Sequence, residues 1–234
     1  MSDRVELVFG LVGPIGCLIH EACDSLEYTL KSMDYTPVII NLSAEMDSLL
    51  KAKGCDFKDE FESTFEEKIL KGNLVRKKFA NDAVLAAEAT RQILVFRQNF
   101  ARKKGETDKH TINLEARIPL DNHAFIIDQL KRPEEISMLV KTFGKRFIQV
   151  SVVTPLDKRK QTLIARLSSD KPGWKTAACK AHTDKLIDMN GNMSMDSRFQ
   201  KYFTAVTCFL TARRKKLLMN PASGLLMRFL EKMT

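Results

Sequence analysis

An apolar run that begins at Val5 ends in three glycines spaced by three, Gly10, Gly13 and Gly16, within Leu7-Val8-Phe9-Gly10-Leu11-Val12-Gly13-Pro14-Ile15-Gly16. A helical pattern opens soon after it, from His20 to Met33, with Ala22, Cys23, Leu26, Leu30 and Met33 on one apolar face. Buried strand, glycine turn and helix N-terminus in succession are the plan of a loop that cradles phosphate. The glycines let the backbone approach an anion, and the helix end offers free N–H groups and a positive dipole. The turn departs from the full pattern G-x-x-x-x-G-K-[ST]. With Gly10 as its first glycine, Ile15 stands at the second glycine, Gly16 at the lysine and Cys17 at the Ser/Thr. The shape of the cradle is present without its charge and without its magnesium ligand. A plain strand-to-helix turn would use the same residues, so the turn alone leaves both readings open.

The rest of the chain reads as alternating strands and helices. Tyr35 to Leu42 is a second strand, followed by a helix with Ser43 as its expected N-cap. Asp59 to Phe100 is helical, with an expected break at Gly72-Asn73, and Ala101 to Asp121 reads as a polar surface loop. His123-Ala124-Phe125-Ile126-Ile127-Asp128 is a strand that ends in a carboxylate. Asp128 therefore falls where open α/β sheets bind ligands, at the carboxyl end of a strand. Pro133-Glu134-Glu135 opens a helix that Gly144 ends, and Phe147 to Val153 is a further strand. Thr154-Pro155 starts a basic helix carrying Lys158, Arg159 and Lys160. Strand–helix–strand units with buried strands predict a parallel α/β sheet.

After Ser168 the pattern changes. Asp170-Lys171-Pro172-Gly173 reads as a linker, Ala177 to Ile187 as a helix, and Asp188 to Asn192 as a turn. Met195 to Leu210 has no clean period, Arg213-Arg214-Lys215-Lys216 is a basic run, and Ala222 to Met233 is a short apolar helix. The expected division is a nucleotide-binding domain over 1–168 and a basic, mainly helical extension over 169–234, whose end would be covered by a partner or a following domain.

Charge sharpens that division. Residues 1–144 carry 20 basic and 23 acidic side chains, whereas residues 145–234 carry 18 and 6, so the whole net charge of +9 comes from the last third. An acidic partner, nucleic acid or polyphosphate suits such a segment, and so does a solvated basic helix face. No apolar run approaches the roughly 18 residues of a membrane span. The five cysteines are scattered with no C-x-x-C pair, which fits a reducing, cytoplasmic setting without membrane attachment.

Three stretches together resemble the bacterial anti-phage deoxycytidine nucleotide (dCTP/dCMP) deaminases: Glu6 to Gly16, Gly72-Asn73-Leu74-Val75-Arg76, and Ile126 to Ile136 with Phe143-Gly144 and Phe147 to Val153 after it. The resemblance is good over about 5–160 and weaker beyond. It implies an α/β P-loop NTPase or nucleoside-kinase-like three-layer sandwich with a parallel sheet, joined in that family to a zinc deaminase domain. That domain needs H-x-E or C-x-E and then P-C-x-x-C. None of His20, His110, His123 and His182 is followed by x-Glu, and neither is any cysteine. Deamination therefore has no zinc site in this sequence, and a separate deaminase domain or subunit is the implied partner.

These observations predict a nucleotide-binding, regulatory module. Gly10, Gly13, Pro14, Ile15 and Gly16 would hold phosphate, Asp128 would orient a metal or water, and Lys131, Arg132 or Arg159 would replace the missing lysine. The expected ligand is dCTP, dCMP, ATP or GTP, with Mg2+ as a possible companion, and the chain is free to act as a homo-oligomer. A nucleoside or nucleotide kinase-like phosphotransferase or NTPase, and a nucleic-acid-binding protein using the basic third, are the alternatives. No catalytic residue is assigned.

Overall fold

The structure is a computed structural model that describes residues 4–55, 61–191 and 208–211. The expectations for Met195 to Thr207, Arg213 to Lys216 and Ala222 to Met233 lie outside those residues.

Five strands of the described residues form one parallel sheet: β1 Leu7–Val12, β2 Thr36–Asn41, β3 His123–Leu130, β4 Phe147–Val153 and β5 Cys208–Thr211. Their order is β2-β3-β1-β4-β5, with β1 in the centre. The helices of the described residues are α1 Ile19–Ser32, α2 Leu42–Ala52, α3 Thr64–Phe79, α4 Val84–Lys103, α5 Lys109–Glu115, α6 Pro133–Phe143, α7 Leu156–Asp170 and α8 Thr176–Gly191. The result is a three-layer α/β sandwich with a parallel sheet, the architecture expected from the alternating strands and helices.

The layers follow from the alternation of the strands. On β1, Leu7, Phe9 and Leu11 point to the face covered by α1, where they meet Ala124 and Ile126 of β3 and Ile148, Val150 and Val152 of β4. Val8 and Val12 point the other way, onto a core shared with α2, α3, α4 and α6. The connection β1–α1–β2 runs one way along the sheet and β3–α6–β4 runs the other. Crossovers of one hand then place α1 and α6 on opposite faces.

Several local expectations change. Asn41, not Ser43, caps α2, and its side chain accepts the Ser43 N–H at 3.2 Å. α3 runs unbroken through Gly72-Asn73 and stops at Ala80, which adopts a left-handed conformation with φ 47°. Gly72 is there for closeness: a Cβ would meet Arg76 at 3.2 Å and Met46 of α2 at 3.5 Å. The loop expected over 101–121 contains α5, which Asp108 caps and whose Ile112 is buried. α7 continues to Asp170, past the expected change of character at Ser168. α8 extends through Gly191 and packs its Cys179 and Leu186 against Leu163 and Leu167 of α7. β5 then joins the same sheet beside β4.

At the amino end of the sheet, away from the glycine turn, Glu6 is wholly buried and ion-paired with buried Arg97 of α4. It also accepts the Leu120 N–H at 2.9 Å, and Arg97 donates to the Ala116 carbonyl at 3.0 Å. This pair ties α4 and the α5 region to the base of β1.

Candidate functional site

The order of the strands sets where a ligand would bind. The chain leaves β1 toward one edge of the sheet and β4 toward the other, so a crevice opens between their carboxyl ends. The glycine turn lies there. Cys17 donates its N–H to the Pro14 carbonyl at 3.2 Å, which makes Pro14 to Cys17 a β-turn with Gly16 at its third position. Gly16 has φ +81°, the value that position needs for a type II turn and that a side chain would resist. A Cβ on Gly16 would also lie 2.8 Å from the Arg159 carbonyl. Gly13 is tight as well, with the Val152 carbonyl 3.2 Å from where its Cβ would be. Gly10 lies apart from the turn, inside β1, where Leu130 and Phe147 close over its α-carbon. Its absent side chain is filled by the core, not by a ligand. Pro14 is partly exposed, and Ile15 is buried against Leu163 and Leu167 of α7.

α1 begins immediately after this turn with Leu18 as its N-cap and no side-chain cap. Its first N–H groups are therefore open to an external acceptor. His20, in that first turn, sits 4.0 Å from the Asp128 carboxylate.

Asp128 and Lys131 come from an irregular end of β3. The pairing with β1 slips between Gly10 and Val12, and Gln129 has φ 62°. Left-handed backbone at a non-glycine residue costs of order 1–3 kcal/mol and clusters at functional sites. Asp128 is 8% exposed, its Oδ1 is buried without a partner, and burial raises its carboxyl above the usual range against the pull of His20, Lys131 and Lys68. Lys131 donates its Nζ to the Gly13 carbonyl at 2.7 Å. Burial pushes its amine down to about 8, although Cys17, Asp128 and Glu135 favour its charge. Arg159, from α7, donates its Nε to the Ile15 carbonyl at 2.7 Å. Two cations from two distant segments thus grip the carbonyls of the turn that lacks its own lysine.

Glu135 positions the first of them. It is 1% exposed, accepts the Lys131 and Arg132 N–H groups at 2.6 and 2.9 Å, and forms a 2.6 Å ion pair with buried Arg76 of α3. The Gly72–Arg76 stretch and the 126–136 stretch therefore meet in space. Arg132 points away from the turn and donates to Asn73 of α3 at 3.4 Å.

Magnesium fits this site only in part. The orphan oxygen of Asp128 suits a hard cation or its water. Cys17, at the usual hydroxyl position, does not suit one: its sulfur donates to the Val152 carbonyl at 3.5 Å and burial raises its thiol. The Thr154 hydroxyl, at the end of β4, is buried without a hydrogen-bond partner. One carboxylate could hold Mg2+ only together with the oxygens of a phosphate.

A second cluster is formed by residues that the sequence pattern does not single out. Ser63, the N-cap of α3, lies 2.8 Å from Nε2 of His182 in α8, and His182 Nδ1 lies 3.0 Å from Glu62. The order serine, histidine, acid is that of a nucleophilic triad. Ser63 is only 3% exposed, however, and its oxygen already accepts the Glu66 N–H at 3.2 Å. Glu62, Glu66 and His182 bring ligand atoms within 4.8 Å of one another, but the Lys185 ammonium already bridges both carboxylates at 2.9 Å. The cluster is a clasp between α3 and α8. Ser63→Ala should lower stability by about 1–2 kcal/mol through loss of the cap, measured by urea unfolding, and should leave ligand binding at the turn unchanged. The spacing Ser63 to His182 gives no local signal from which this clasp could be read.

The basic excess of the last third is partly committed. Arg159 holds the turn, Lys160 pairs with Asp184, and Lys185 pairs with Glu62 and Glu66. No described helix is long and apolar enough to cross a membrane.

No protein-family model and no curated protein matches the chain. Among solved structures it is similar to a shikimate kinase from Bacteroides thetaiotaomicron, at 10% identity and a TM-score of 0.47, over 96% of this chain and 98% of that one. It is also similar to an uncharacterized protein from Eubacterium ventriosum, at 12% identity and a TM-score of 0.42, over 97% of this chain and 98% of that one. None of these comparisons supplies the deaminase family that the quoted stretches resemble.

Proposed function

We propose that this chain binds the phosphate groups of a nucleotide at the glycine turn, with Lys131 and Arg159 replacing the lysine that the turn lacks. The observation that carries this reading is the convergence of those two side chains on the carbonyls of Gly13 and Ile15, beside an uncapped helix N-terminus. Donors on the turn and cations around it are the two things a phosphate needs. Both cations hold neutral carbonyls, and a phosphate oxygen is a stronger acceptor for either.

Binding is favoured over phosphoryl transfer. A transferring enzyme needs a cation on the moving phosphoryl group and a metal held in place. Here Cys17 stands where a Ser/Thr would hold the metal, which leaves Asp128 as the carboxylate that could do so. Gly13, Pro14, Ile15 and Gly16 shape the cradle, Asp128 orients a water or phosphate-borne Mg2+, and Gly10 serves the strand beneath it. The narrower reading is a regulatory module related to the deoxycytidine nucleotide deaminases and coupled to a deaminase partner. It rests on the sequence resemblance alone.

Thermal unfolding against nucleotides tests both levels. A ligand at a hundred times its dissociation constant adds about 2.7 kcal/mol, an upward shift of several degrees. Nucleotides should shift the midpoint and the corresponding nucleosides should not. A larger shift with dCTP or dCMP than with ATP or GTP would favour the deaminase-related reading. Equal curves for nucleotides and nucleosides would reduce the turn to a structural element.

A further inference from the structure

A cleft of about 320 Å³ lies between the carboxyl end of α3 and the start of α6, lined by Asn73, Arg76, Lys77, Asn81, Asp82 and Arg132. We infer that this cleft is a second oxyanion site, separate from the glycine turn, which takes a phosphate or carboxylate group through Arg132, Lys77 and the two asparagines.

The charges of the cleft do not cancel. Arg76 is neutralised by Glu135, at 2.6 Å. Arg132 and Lys77 have no ion pair among the described residues, and Asp82 is the one acid of the lining. The guanidinium of Arg132 is also incompletely used. Its Nε is buried without any hydrogen-bond partner, and its one side-chain bond among the described residues is the long contact of 3.4 Å to Asn73. A buried donor left unpaired is costly. An oxyanion in the cleft would pair with the terminal N–H groups of the guanidinium, whose only other bond among the described residues is the long one to Asn73, and two oxygens suit the guanidinium fork.

The backbone holds these groups in place. The Arg132 N–H is fixed on Glu135 at 2.9 Å, so the residue enters the cleft from a rigid corner. Opposite it, α3 ends at Ala80 in a left-handed conformation that a side chain tolerates poorly. That turn carries Asn81 to the rim beside Lys77. Lys77 and Lys78 also complement the negative end of the α3 dipole, but Arg132 belongs to another element and needs no such explanation. Arg132 follows Lys131 directly, so one two-residue step supplies a cation to the turn and a cation to the cleft.

Isothermal titration of the full chain with inorganic phosphate, repeated with acetate, tests the assignment. Wild-type protein should bind an anion at the cleft. Arg132→Gln, and independently the exposed Lys77→Gln, should each weaken that binding by about tenfold, the worth of one charge-assisted hydrogen bond. Lys131→Met should leave it intact, which separates this site from the one at the turn. Phosphate binding without acetate binding assigns the cleft to phosphoryl groups, and binding of both assigns it to oxyanions in general. Phosphate and acetate affinities unchanged in both Arg132→Gln and Lys77→Gln, or no binding of either anion to wild-type protein, would overturn the inference whatever happens at the turn.

Discussion

Arg97→Met is expected to destabilise the fold by about 3–5 kcal/mol. Its partner Glu6 is wholly buried at the base of β1, where Arg97 donates from Nε at 3.0 Å and from its terminal nitrogen as well. Without Arg97 the carboxylate keeps only the Leu120 N–H and a 3.4 Å contact to Arg146. A buried charge stripped of its partner costs that much because neither water nor a counter-ion replaces it. For a chain of this size the midpoint should fall by roughly 6–20 °C. The pair itself need not be a net gain, since replacing both members of a buried pair with apolar groups is often neutral or better. Glu6→Leu with Arg97→Met should therefore recover most of the loss, measured by urea unfolding of both single variants and the double. A loss below about 1 kcal/mol in Arg97→Met, the range of an exposed pair, would mean that Arg146 takes over the carboxylate.

The reason this pair is invisible in the sequence is separation. Glu6 and Arg97 lie 91 residues apart, and nothing in the pattern of α4 marks Arg97 as the arginine that turns inward. The strands, by contrast, are plain in the chain. Leu7 to Val12, Phe125 to Ile127 and Phe147 to Val153 are buried on both faces, so hydrophobicity alone locates them. α6 is equally legible because Pro133, Glu134, Glu135 and Gly144 punctuate it at both ends. α3 misleads because glycine in a helix usually means a break. Here it means that α2 crosses close by, and a contact made by Met46 cannot be read from Gly72. α5 is hidden for a related reason. A short helix with a single buried apolar position, Ile112, carries too little periodicity to stand out from a polar loop.

The site divides in the same way. The glycine turn and Asp128 are visible because local pattern encodes them: a positive φ at Gly16 and a strand that ends in a carboxylate. Lys131 and Arg159 can be named from sequence only as members of a set of nearby bases. What selects them is three-dimensional. The bulge at Gln129 swings Lys131 under Gly13, and burial of Ile15 against Leu163 and Leu167 draws α7, with Arg159, onto the turn. Arg132, named with them, faces the other way.

Lys131→Met should separate binding from folding. The amine is enclosed, and burial holds it at about 8 against its ordinary value of 10.5. Keeping it charged at neutral pH therefore costs folding free energy, and methionine of similar length removes that cost. The variant should fold at least as well as the wild type at pH 7. The sign of the pH dependence follows. Between about pH 8 and 10.5 the unfolded chain still holds the lysine proton and the folded chain has released it, so wild-type stability gains on the variant as pH rises through that window. Binding should move in the opposite sense. A phosphate needs the ammonium form, so nucleotide affinity of the wild type should fall as pH rises through about 8, with proton uptake on binding. In Lys131→Met the loss of one charge-assisted contact, about 1.5–3 kcal/mol, should weaken nucleotide binding by roughly tenfold to a hundredfold and flatten the pH profile. Calorimetric titration at about pH 7 and about pH 9, on either side of the amine's titration, in two buffers of different ionisation enthalpy reads affinity and proton uptake together. Wild-type affinity that is level across this range, and unchanged in the variant, would leave Lys131 as a brace for the Gly13 carbonyl and place the phosphate on Arg159 and the α1 amides alone.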